Sequence, residues 1–113
     1  QGKIMQAEAS IQTAGAELSK TLNQVENQVE VAYRNLLESR RLVEAFLGGL
    51  LDDARLTFTI AERAYDRGGA TLIDLLDAAR TSRTIQQNYI EALFNYQRNL
   101  IQLESAVGAD ITS

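Results

Sequence analysis

Apolar side chains recur every seven residues along this chain. Ile4, Ile11, Leu18, Val25 and Ala32 form one line, and Leu22, Val29, Leu36, Val43 and Leu50 a second. Between Leu18 and Leu36 the two lines interleave in the alternating three- and four-residue steps of a coiled-coil face. The spacing predicts one long helix over about 3–66. Past Leu50 the rhythm changes, because Ala54, Phe58, Ala61 and Tyr65 follow at steps of 4, 4, 3 and 4. Such an extra residue resembles a stutter, which locally relaxes a left-handed supercoil. Gly48-Gly49 falls at this shift. Two glycines inside a helix cost about 2 kcal/mol relative to alanines. They read as a tolerated weak point, as small residues admitting a close neighbour, or as a built-in bend or crossing site.

A second helix is predicted over about 72–107. Its seam alternates through Leu75, Ala79, Ser82, Gln86, Tyr89, Leu93, Tyr96, Leu100, Leu103 and Val107, and Gly108 supplies a stop. A further apolar line, with Leu76, Ile90, Phe94 and Ile101, widens the stripe beyond what one partner helix needs. Between the helices, Gly68 and Gly69 are expected to supply the positive φ angles of a tight reversal. Thr71 then caps the next helix, with Asp74 three residues on in a capping-box-like pattern. The fold class is therefore all-α, a long antiparallel helical hairpin with helix one about 3–66, tip about 67–71 and helix two about 72–107. At 1.5 Å per residue the first helix is roughly 95 Å long and the second roughly 55 Å. The stretch from Ile4 to about Val29 is thus left without a partner in the chain. Each of its leucine-sized residues forgoes about 1.5–3 kcal/mol if it stays wet, so the chain is expected to associate with copies of itself or with further segments.

Composition narrows the function. The chain has 113 residues and no proline, cysteine, histidine or tryptophan. Long helices can run without proline breaks, while the usual neutral-pH acid/base and the commonest metal ligands are missing. Neither a nucleophile–base pair nor a phosphate loop nor a metal-ligand spacing is present, so no enzyme, metal or cofactor is expected. The net charge is −4, and the basic residues alternate with acids rather than forming a stripe, which argues against nucleic acid. No apolar run approaches the roughly 20 residues of a helical membrane span. Gln1-Gly2-Lys3 leads straight into helical periodicity, as in a segment of something larger.

Several residues carry two readings. Asp74 and Asp77 are stabilised by the helix dipole near an N-terminus; alternatively they face a lumen and form an acidic ring when copies assemble about an axis. Tyr65 continues the seam of helix one, and Arg67 complements that helix's C-terminus; either could instead bridge to a neighbouring hairpin and hold an entrance shut. Gly68 and Gly69 serve the turn, and their bare backbone also admits a partner's close approach. Tyr89 and Tyr96 are expected in the core. Arg40-Arg41 and Asp52-Asp53 are expected as solvated surface.

Ala61-Glu62-Arg63-Ala64-Tyr65-Asp66-Arg67-Gly68, followed by Leu72-Ile73-Asp74-Leu75-Leu76-Asp77-Ala78-Ala79-Arg80, resembles the outer-membrane efflux factor family of TolC-type exit ducts. The branch serving heavy-metal and drug pumps of the resistance-nodulation-division type is most similar. The family pattern of Tyr-x-x-Gly, a short gap and Leu-x-x-Leu-Asp-Ala falls on Tyr65, Gly68, Leu72 and Leu75 through Ala78. Tyr89-Ile90-Glu91-Ala92-Leu93 through Tyr96, then Leu103-Glu104-Ser105-Ala106-Val107-Gly108, is similar to the family's closing helix. The resemblance implies one helical hairpin from the second half of a duplicated repeat, in the periplasmic α-barrel, without the membrane β-barrel strands or the first repeat. It implies a trimer in the outer membrane of a Gram-negative bacterium, working with a periplasmic adaptor and an inner-membrane pump. Arg67, Gly68, Gly69, Thr71 and Leu72 would then belong to the adaptor-docking tip, and Tyr65, Asp74 and Asp77 to the entrance gate. Some members carry a basic residue shortly after the turn glycine as a closing link; Ala70 stands there in this chain. An adaptor hairpin and a plain coiled-coil scaffold are the competing readings, and the exported substrate is not encoded in this segment.

Overall fold

The computed structural model describes residues 2–112, with side chains through Gly108. The chain forms α1 (Gly2–Ala45), a π turn (Phe46–Leu50), α2 (Leu51–Asp66) and α3 (Leu72–Thr112). Both α1 and α2 pack against α3, which runs back antiparallel to them. The result is a rod of 97 × 21 × 14 Å. Its long dimension agrees with the length expected of helix one. Gln1 lies outside the described residues.

Helix one is interrupted in its middle by a kink. At its middle the Leu51 N–H donates to the Phe46 carbonyl five residues back, and Gly49 has non-helical dihedrals (φ 161°, ψ −29°). This π turn is the structural form of the stutter. The line that includes Val25 and Ala32 continues through Ser39 and Phe46, all turned toward α3, and strict heptad spacing would next place Asp53 there. The turn absorbs one residue, so the buried position falls on Ala54 while Asp52 and Asp53 remain exposed. Burying an unpaired carboxylate would cost several kcal/mol, which makes the one-residue offset the favourable register. Neither glycine of the turn is there for packing within the chain, because a Cβ at Gly48 or Gly49 would meet nothing within 4 Å.

The buried centre is thin and runs along the seam from Ala32 to Ala54, against Ala92 of α3. Ala92 is 4% exposed, Ser39 5%, and Phe46 and Ala54 8% each. The Ser39 hydroxyl donates to the Leu36 carbonyl at 2.9 Å, so its burial leaves no orphaned group. The Phe46 and Tyr89 rings meet at 5.8 Å with a 57° tilt, a favoured aromatic geometry. Further along, the Asn99 side-chain amide donates to the Asn35 carbonyl at 3.2 Å and ties the two helices across 64 positions of sequence.

The seam of α3 differs from the predicted one on one side. Leu75, Ser82, Tyr89, Tyr96 and Leu103 do face α1 and α2, as expected. Their closest companions are Ala78, Ile85, Ala92, Asn99 and Ala106; of the expected companion line, Ala79 and Leu93 are half-buried as well, while Gln86, Leu100 and Val107 stay exposed. Alanine lets the helix axes approach closely, whereas the larger Leu100 and Val107 on the other flank stay exposed. Gly108 does not stop α3, which continues to Thr112. One glycine costs a helix only about 1 kcal/mol, and the chain has no proline to end it.

Two apolar surfaces are left open, as the excess of apolar lines predicted. All described residues before Val25 are exposed, with Ile11 at 72%. On α3, Leu76, Ile90, Phe94 and Ile101 are exposed as well. No described helix is long and apolar enough to cross a membrane.

Candidate functional site

The hairpin tip is built by two complementary end motifs. At the end of α2, Arg67 N–H donates to the Arg63 carbonyl (3.1 Å), Gly68 N–H to Tyr65 (3.0 Å) and Gly69 N–H to Ala64 (2.8 Å). The last two are the paired bonds of a Schellman motif, which satisfy carbonyls the helix end would leave bare. Gly68 sits at φ 78°, where a side chain would clash with the backbone. Only Gly68 adopts this conformation; Gly69, expected to share it, instead contributes its N–H, and the reversal needs one left-handed residue rather than two.

At the start of α3 the predicted capping box closes in both directions. The Asp74 N–H donates to the Thr71 hydroxyl at 3.2 Å, and the Thr71 N–H donates to the Asp74 carboxylate at 3.0 Å. The Leu75 N–H donates to the Thr71 carbonyl at 3.1 Å. The Thr71 N–H, and then its hydroxyl, hold the Asp74 carboxyl below its ordinary pKa range. The Thr71 N–H thereby fixes the direction of the carboxylate. Asp77 is exposed one turn on, and no side-chain hydrogen bond or ion pair holds it among the described residues.

The tip thus gathers all the residues singled out for it. Tyr65, Arg67, Gly68, Gly69, Thr71, Leu72, Asp74 and Asp77 are all exposed at one end of the rod. Leu72, Ile73 and Leu76 add apolar surface beside the two carboxylates, with Ile73 70% exposed. Such a surface offers apolar anchors, bare backbone and fixed negative charge together, suited to a protein partner and to cations. No group of residues that could hold a metal ion occurs among the described residues. The two ion pairs there, Glu30–Arg34 and Arg40–Glu44, are exposed pairs along α1 and lie far from the tip in sequence.

Sequence reasoning stopped short of what continues upward from the two aspartates. Asp74, Thr81, Asn88, Asn95 and Gln102 form one heptad line, and Asp77, Thr84, Glu91, Arg98 and Ser105 form its companion three residues on. Every one of these ten positions is polar, and all but the half-buried Asn95 are exposed. At about 100° per residue they occupy a sector roughly 140° wide, distinct from the sector of Leu76, Ile90, Phe94 and Ile101. Asn88, Glu91, Asn95 and Arg98 line an open groove with Leu42 and Phe46. Gln102 and Ser105 line the next one with Asn27, Gln28 and Asn35 of α1, where Val31 and Ile101 also enter. The heptad recurrence of polar residues at these ten positions is the signal the sequence carries, overlaid by the stronger apolar repeat.

Comparison with known proteins agrees with this geometry. The family model described as outer membrane efflux protein matches residues 1–109. The chain is 26% identical over 106 residues to outer membrane protein TolC of Escherichia coli (strain K12), a match covering 94% of this chain and 21% of that protein. It is 28% identical over 90 residues to outer membrane protein TolC of Vibrio cholerae serotype O1 (strain ATCC 39315 / El Tor Inaba N16961), covering 71% of this chain and 20% of that protein. The chain therefore spans about one fifth of the length of these relatives. No solved structure matches it to the same standard.

Proposed function

Because the chain belongs to the outer membrane efflux protein family, a family of outer-membrane proteins, we propose that it is one helical hairpin in the periplasmic wall of an export duct. Its tip stands at the duct's entrance. Arg67, Gly68, Gly69, Thr71 and Leu72 form the surface that docks a periplasmic adaptor. Tyr65, Asp74 and Asp77 belong to the gate. The duct is a trimer of the parent protein, whose membrane β-barrel and first repeat lie outside this segment. It serves an inner-membrane pump, and the pump selects the substrate. The chain has no catalytic role and needs no cofactor.

The observation that carries this reading is the tip itself. The Schellman turn and the reciprocal Thr71–Asp74 cap define the apex, and Arg67, Thr71 and Leu72 are exposed on it, which supports the docking reading. The exposed apolar faces of α1 and α3 support a wall in which each hairpin meets more than one neighbour. In the parent protein, replacing Asp74 and Asp77 together by alanine is expected to reduce cation conductance through a reconstituted bilayer and to weaken block by multivalent cations. Unchanged conductance and block would refute the gate assignment. Loss of adaptor cross-linking on substitution of Leu72 by aspartate tests the docking surface separately.

A further inference from the structure

We infer that Arg55 and Arg83 form a two-pronged receptor for a carboxylate carried by a neighbouring hairpin of the wall. This rests on the export-duct reading above and adds to it a specific contact that sets neighbours in register.

Arg55 of α2 and Arg83 of α3 enter the same groove, a space of about 270 Å³ also lined by Phe58, Ala79, Ser82 and Gln86. Among the described residues no acid lines it. The chain carries 15 acids to 11 bases, so two cations in one groove are not a by-product of a basic composition. Like charges that share a groove repel, and arginines elsewhere on the rod are matched. Arg34 and Arg40 each pair with a glutamate four residues away. Arg83 has no such neighbour, because Ala79, Arg80, Gln86 and Gln87 occupy the positions three and four residues to either side. Arg55 has Asp52 three residues before it, yet the two ion pairs among the described residues lie elsewhere.

The groove's place in the fold decides what kind of partner reaches it. Arg83 stands midway between Leu76 and Ile90 on one heptad line, within the exposed apolar sector of α3. Ala79 and Gln86 share a line with Leu93, Leu100 and Val107, so the groove opens on that flank and away from the polar lines of Asp74 and Asp77. A wall helix that covers Leu76 and Ile90 therefore covers Arg83 as well. Burying a guanidinium without a counter-charge is strongly unfavourable, and an aspartate or glutamate at this height on the covering helix removes the penalty. A carboxylate has about four lone-pair positions and accepts from two guanidinium forks at once. Ser82 and Gln86 stand beside it as neutral donors, and Phe58 gives the incoming side chain's stem an apolar contact. Apolar heptads alone permit a slip of one repeat, whereas one polar contact inside the stripe fixes the register.

In the full-length parent, Arg83→Lys keeps the cation and supplies an amine that a carbodiimide joins to a touching carboxylate. The assembled protein is treated and digested, and the joined peptides are read by mass. The expected product links the peptide carrying position 83 to an aspartate or glutamate outside residues 1–113. Arg40→Lys is the control, whose link to Glu44 stays within α1. Arg83→Glu alone is expected to lower the temperature at which the assembly dissociates, and changing the linked acid to arginine in the same protein is expected to restore it. A link to an acid within residues 1–113, such as Asp52, reduces the site to a local ion pair. Full acylation of the new amine by a water-soluble reagent shows a site that meets only free anions, and a shielded amine without any link shows a neighbour that brings no acid. Each of these three results overturns the inference while leaving the duct intact. A parent protein that sediments as a monomer and carries no current across a bilayer instead overturns the duct reading beneath it.

Discussion

The chain contains the same dipeptide twice with opposite outcomes. Gly68-Gly69 ends a helix and turns the chain around; Gly48-Gly49 stays inside a helix and only loosens it into a π turn. Glycine is permissive in both places, so the neighbours decide. After Gly69 come Ala70 and Thr71, and Thr71 with Asp74 forms a cap that starts a new helix in a new direction. After Gly49 come Leu50 and Leu51, with no capping side chain, and the existing helix resumes. Packing reinforces the choice. Phe46 before the inner pair is buried against Tyr89, and Ala54 beyond it is buried too, so α3 packs against both sides of that turn. Gly68 and Gly69, by contrast, stay exposed at the end of the rod.

This contrast can be broken by substitution, followed as thermal and denaturant unfolding at fixed protein concentration. The largest effect is expected at Gly68→Val. A side chain at φ 78° costs about 1–2 kcal/mol, and β-branching adds to it. The paired substitution Gly48→Val should cost far less, because the position is open and helical; equal losses would show that the two pairs are not different. Next, Thr71→Ala should cost about 1 kcal/mol by removing the cap, and hydrogen exchange should rise in the first turn of α3. A change confined to α2 would contradict the capping box. Third, Gly48→Ala should stabilise the chain by about 0.5–1 kcal/mol through helix propensity. A loss instead would show that the π turn needs glycine itself and that the turn is functional.

The smallest effect is the pH dependence of the cap. The Asp74 pKa is lowered by folding, so the folded state binds its proton more weakly than the unfolded state does. Its contribution is fully present above the ordinary carboxylate range and is lost as pH falls through the folded value. Acid titration of wild type and Asp74→Asn should therefore converge at low pH and separate above pH ~4. Parallel curves throughout would mean that the carboxylate does not stabilise the tip.

The sequence by itself determined a good deal. The heptad lines specified two helices, because a period near 3.5 leaves no other way to gather those side chains. The reversal was legible in Gly68 and in Thr71 with Asp74, since turn and cap chemistry are local. The displaced rhythm after Leu50 announced an extra residue. Tertiary structure alone decided how that residue is accommodated. The π turn places Ala54 against α3 and leaves Asp53 in water, a choice that depends on the partner helix. It also decided which flank of α3 closes on α1. Ala92 and Ala106 were chosen over Leu100 and Val107, because the distance between two axes is set by both surfaces at once, and one helix's pattern does not contain the other's shape.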